Sequence, residues 1–135
     1  MAATCRSVSL GLLLVAGTLC AGGCRSQQQI LTEHRQGIVS LGATVVMAGD
    51  AWLSGDVSRT YTRITLERSE DVLAQQRADF SSEMELLATP DGAKLSQSEE
   101  DLSRTLAALY AAVSVNDAAG VRRLLDDLRP RASRP

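Results

Sequence analysis

Residues 28–53 read QQILTEHRQGIVSLGATVVMAGDAWL. Leu31, Ile38, Val45 and Trp52 recur every seven residues, and His34, Leu41 and Ala48 stand three after the first three of them. This spacing gathers the apolar residues on one face of a helix as an a/d seam. Val39, Val46 and Leu53 lie beside the seam and widen it. Gly37, Gly42 and Gly49 each lower helix propensity by about 1 kcal/mol relative to alanine, so close approach of a neighbouring helix is their expected use. The stretch from Gly37 to Gly49 is nearly all apolar, but about 13 residues is the length of a buried helix segment and not of a membrane span.

Ser54-Gly55-Asp56 is the first break. Gly55 suits a left-handed C-terminal cap, and Asp56 can cap the next helix. A second helical segment is expected from Val57 to about Ala88, with Leu66, Leu73, Phe80 and Leu87 every seven residues and Tyr61, Ile64 and Met84 nearby. Thr60 to Thr65 alone could read as a strand, but no second strand exists to satisfy its backbone groups. Thr89-Pro90-Asp91-Gly92 is the second break, in turn-forming order. Ser96-Gln97-Ser98-Glu99 then matches a capping box, and Glu99, Glu100 and Asp101 would favour the positive end of a helix dipole. Leu95, Leu102, Leu106, Leu109 and Val113 follow at helical spacing, flanked by Tyr110. Asn116-Asp117 interrupts that helix. A last piece carries Val121, Leu124, Leu125 and Leu128, with Arg122–Asp126 and Arg123–Asp127 as i,i+4 pairs, until Pro130 stops it. Short turns force antiparallel neighbours. The expected architecture is all-α: an up-down-up three-helix bundle over residues 30–129, its last arm broken near Asn116-Asp117. A four-helix bundle with that arm folded back is the alternative.

The whole chain has 135 residues, about one domain. Lys plus Arg number 14 and Asp plus Glu 16, a formal net charge of -2, so the basic excess of a nucleic-acid binder is missing. Apolar residues make up 44%, too many for a disordered chain. Aromatic residues make up only 3%, which disfavours a β-sandwich or barrel.

Cys5, Cys20 and Cys24 all lie in the first 24 residues. Arg6 is followed by an apolar run from Val8 to Val15, then by small residues closing in Ala21-Gly22-Gly23-Cys24. A positive start, a short apolar middle and small residues before a cut are the parts of a secretory signal. Over these residues the chain resembles a bacterial lipoprotein precursor, whose lipobox places small residues before the cysteine to be lipidated; Ala21 stands where that class usually has Leu. The resemblance implies a signal peptide at 1–23, cleavage between Gly23 and Cys24, and a diacylglycerol thioether on Cys24, usually with an acylated amine. Residues 24–29 would form a lipidated tether and 130–135 a basic flexible tail. Arg25, not Asp, follows the cysteine, which by analogy with enterobacterial sorting places the protein in the outer membrane facing the periplasm, if the organism has one. Two other readings of the residues stay open: ordinary signal cleavage that leaves Cys24 free, and an uncleaved anchor.

Chemistry is sparse. His34 is the only histidine and falls on the apolar seam, where a half-buried residue with a hydrogen-bond partner is expected. Nucleophilic catalysis needs a base beside the nucleophile, and no G-x-S-x-G elbow, Walker loop or G-x-G-x-x-G is present. A carboxylate metal site in a bundle needs E-x-x-H on two helices; Glu33 and His34 are adjacent, and no second histidine exists. No cofactor, metal or enzymatic activity is expected. Glu67, Glu70 and Asp71 beside Arg63 and Arg68 read as a solvated face. Arg129, Arg131 and Arg134 make the tail basic enough to touch an anionic surface. The leading expectation is a lipid-anchored envelope module that binds or scaffolds a protein partner through its helix faces. The alternative is a small-ligand sensor or carrier, with Trp52, Tyr61, Tyr110 and His34 as candidate contacts. Homo-oligomerisation through unused apolar seam is a further option; a nucleic-acid partner is not.

Overall fold

The computed structural model describes residues 26–132. The expected signal peptide, its cleavage site and Cys24 lie outside the described residues, as do residues 133–135. Regular structure among the described residues is entirely helical: α1 (Gln27–Leu53), α2 (Arg59–Ser81), α3 (Met84–Leu87), α4 (Pro90–Ser114) and α5 (Ala118–Ala132). The strand-like stretch Thr60–Thr65 is part of α2.

Local chemistry sets the ends. The Ser26 hydroxyl accepts from the Gln29 N–H at 3.2 Å and starts α1. Gly55, at φ 82°, closes it in the left-handed region that favours glycine. Asp56 does not cap α2, as the sequence suggested. Ser58 does, accepting from the Tyr61 N–H at 3.2 Å, while the Asp56 carboxylate takes a bond from the Ser54 hydroxyl at 2.6 Å.

The expected second segment is shorter than 57–88. The Ser81 and Ser82 hydroxyls donate to the Ala78 and Asp79 carbonyls at 2.7 and 2.6 Å, and such local side-chain bonds compete with continuation of a helix. The chain leaves helical geometry at Glu83, and α3 is a single turn. The next helix begins earlier than expected. Thr89 accepts from the Gly92 N–H at 3.0 Å, and Pro90 occupies the first turn, where its missing N–H costs nothing. Ser96 to Asp101 is therefore the middle of α4, and neither the capping box nor the acidic helix start forms. Gly92 is required there: a Cβ would run into the Leu86 carbonyl.

The contacts give the directions. α2 runs back along α1, with Gln76 over Gly37 and Phe80 against His34. α4 runs back along α2, where the Ser103 hydroxyl donates to Glu70 at 2.6 Å. Glu70 is thus a packing residue, whereas Glu67 and Asp71 are exposed as expected. The expected third arm is two helices. Asn116 takes φ 59°, and Asp117 recaps the chain by accepting from the Gly120 N–H at 2.9 Å. α5 then folds back along α1 instead of prolonging α4. Leu125 seats on Gly49, Ala132 on Gly42, and the Arg129 guanidinium grips Asp50 through bonds of 3.0 and 2.6 Å. Gly42 and Gly49 thus serve close helix approach, whereas Gly37 faces only the end of the Gln76 side chain. Pro130 does not stop α5, which continues to Ala132. The pairs Arg122–Asp126 and Arg123–Asp127 do not close, and Arg129 meets Asp126 at 3.5 Å instead.

Two apolar clusters result. The larger joins Val45, Leu66, Leu73, Leu106, Leu109 and Leu125 with their neighbours from α1, α2, α4 and α5. The smaller joins Leu31, Phe80, Leu86 and Leu95 at the end where α1 begins. Each buried Leu or Phe contributes about 1.5–3 kcal/mol over its exposed state.

Candidate functional site

The end of the bundle nearest residue 26 holds the unusual chemistry. His34 is half-buried, as its seam position predicted. Its ring lies 4.9 Å from the Phe80 ring at a 52° tilt, and its Nδ1 is 3.9 Å from Glu99 Oε1. That separation is an electrostatic contact, too long for a hydrogen bond. Glu99 is only 2% exposed, and its Oε1 has no hydrogen-bond partner. Burial pushes the Glu99 carboxyl above the usual carboxylate range, with Arg77 opposing from α2. The arrangement can hold a proton inside the bundle. Sequence reasoning missed it because S-x-x-E resembles a helix start. The available signal was Leu95–Glu99–Leu102, which places Glu99 on the apolar face once α4 is seen to begin at Pro90.

The second feature of this end is a cleft of about 470 Å³ between α1 and α4. It follows from a difference in length. α4 has 25 residues and α5 has 15, so α5 covers roughly 15 Å less of the bundle at 1.5 Å per residue. Past Ala132 nothing among the described residues replaces it. Ile38, Val39, Leu95, Leu102 and Leu128 form the apolar lining; Arg35, Lys94 and Arg131 stand with Asp101 at its edge. Asp101 is already engaged by Arg104 at 2.7 Å and meets Arg131 at 3.9 Å. Volume and lining are those of small-molecule sites in general.

Of the sequence-derived contact residues, His34 lies apart from Trp52. Trp52 follows His34 by 18 positions on α1, about 27 Å along the axis. Tyr61 is exposed on α2, and Tyr110 is half-buried on α4. Arg63 lies over the Tyr110 ring, 4.9 Å from its centroid, and donates to the Tyr110 hydroxyl. That bond holds the Arg63 guanidinium above its ordinary pKa. Tyr110 is thereby tied into the α2–α4 contact. Trp52 packs beside the larger cluster.

Among the described residues no three His, Cys, Asp or Glu side chains gather into a metal-binding group, and no helix is long and apolar enough to cross a membrane. No family model, curated protein or solved structure matches the chain.

Proposed function

We propose that the protein is a lipid-anchored, non-catalytic module of the bacterial cell envelope, in which Cys24 carries the anchor and a helical bundle of up-down-up-down topology engages a protein partner. The observation that carries this reading is the position of α1. Its cap, Ser26, stands two residues after Cys24, and two residues span at most about 7 Å. A lipid on Cys24 would therefore hold the folded bundle against the leaflet with almost no slack. The outer membrane, facing the periplasm, is the proposed location where the organism has one. Such an anchor takes its membrane affinity from the acyl chains.

The test is Cys24→Ser in the native organism. Palmitate labelling should disappear, and the chain should leave the membrane fraction. Retained label and unchanged fractionation would overturn the anchor. Crosslinking from intact cells then tests the scaffold role: a partner lost in the soluble variant, and regained when that variant is given another lipid anchor, is the expected result.

A further inference from the structure

We propose that the cleft between α1 and α4 binds a single-chain anionic amphiphile of the medium-chain fatty-acid type. The alkyl chain would lie along Ile38, Leu95 and Leu102, with the carboxylate between Arg35 and Lys94. Shape, polarity and charge each select this occupant. The side chains facing the cleft from α4 run from Lys94 to Leu102, about 12 Å of helix axis, and the wall is closed at one end by Leu128 and Ala132 of α5. A cleft of that length with an apolar floor suits one medium-length alkyl chain. Leu95 and Leu102 are 4% exposed, so the floor is continuous with both apolar clusters. Arg35 and Lys94 line the open end, while at the closed end Asp101 is held by Arg104 and meets Arg131. Lys94 meets Asp91 at 3.8 Å, but both are exposed and free to part. An anion therefore gains at the open end, whereas a cation is repelled. Ser133-Arg134-Pro135 offers no apolar side chain to match the floor beyond its proline ring. The site does not depend on lipid at Cys24.

The test uses the full chain with Cys24→Ser, prepared without detergent and titrated calorimetrically with decanoate below its micellar range. Decanol and decyltrimethylammonium serve as neutral and cationic probes. Saturable one-to-one binding is expected in the order decanoate, decanol, decyltrimethylammonium. Ser98→Trp, at an exposed position on the cleft wall, should cut decanoate affinity about tenfold or more while leaving the melting temperature unchanged. Arg35→Glu and Lys94→Glu should each weaken decanoate about thirtyfold, about 1 kcal/mol for each of the two unit charges changed, and leave decanol unaffected. Absence of saturable binding, equal affinity for the cationic probe, or indifference to both charge reversals would overturn the proposal. Binding that appears only after residues 133–135 are removed would make the tail the natural occupant and would equally overturn it.

Discussion

Replacing Glu99 should stabilise the protein, and by an amount that depends on pH. The carboxyl is buried, one oxygen has no hydrogen-bond partner, the His34 ring of α1 lies 3.9 Å away, and the opposing cation is Arg77 on α2. An unsatisfied buried polar group costs about 1–3 kcal/mol, and exchanging a buried ion for an apolar side chain of similar volume commonly gains about 1–4 kcal/mol. Glu99→Leu should therefore raise the unfolding free energy near neutral pH by about 1–3 kcal/mol, or roughly 4–8 °C in melting temperature per kcal/mol. Glu99→Gln should gain less, because its amide stays buried. The pH dependence has a definite sign. The folded pKa of Glu99 is raised, so the unfolded chain gives up this proton first as pH rises. Below the unfolded value, near 4.3, both states are protonated and no charge is buried. Through the interval up to the folded pKa the parent loses stability, and above it the loss is constant. The advantage of Glu99→Leu over the parent must accordingly grow as pH rises from the unfolded pKa to the folded one and then level off. Paired thermal or urea melts across that range isolate Glu99, since every other titrating group is common to both chains. A leucine variant less stable than the parent at neutral pH, or an advantage that shrinks as pH rises, would refute the reasoning.

Gly49→Ala should destabilise, because its Cβ would meet Leu125 methyls at 2.7 and 2.9 Å; overpacking of about 1–3 kcal/mol outweighs a helix-propensity gain of about 1 kcal/mol. Gly37→Ala should instead stabilise by up to about 1 kcal/mol, since it meets only the terminal amide of Gln76, which can swing away; urea unfolding of both variants reads the contrast. Thr89→Ala should cost about 1 kcal/mol as a lost cap, whereas Ser96→Ala should cost nothing or gain a few tenths, and equal effects in calorimetry would contradict the placement of the α4 start. Phe80→Ala should cost about 3–5 kcal/mol in denaturant melts, because Phe80 is 1% exposed and anchors the smaller cluster.

The helical character was legible because α1, α2 and α4 each repeat their apolar residues at a period that only a helix can use. Gly42 and Gly49 were legible as contact points for the same reason. The direction of the last arm was not: Asn116-Asp117 marks an interruption, and whether the chain bends or reverses there depends on Asn116 entering positive φ so that Leu125 can reach Gly49. Glu99 reads as part of a helix start because Ser96-Gln97-Ser98-Glu99 matches a capping box, whereas the helix already starts at Thr89, where the sequence reads as a turn. Proline at the first helical position is the signal that marks the true start. The cleft had no sequence signature, since it arises from the unequal lengths of α4 and α5. The signal-like pattern of residues 1–24 lies outside the described residues.

The separation of the two apolar clusters gives the molecule a deep half and a shallow half. Leu31, Phe80, Leu86 and Leu95 hold the shallow one without help from α5, so it can loosen while the layers around Val45, Leu73 and Leu125 stay closed. Amides near the start of α1 and around α3 should then exchange with solvent ahead of those in the far half. Deformation at that end would be absorbed within its own few turns, and the opposite end would keep its shape.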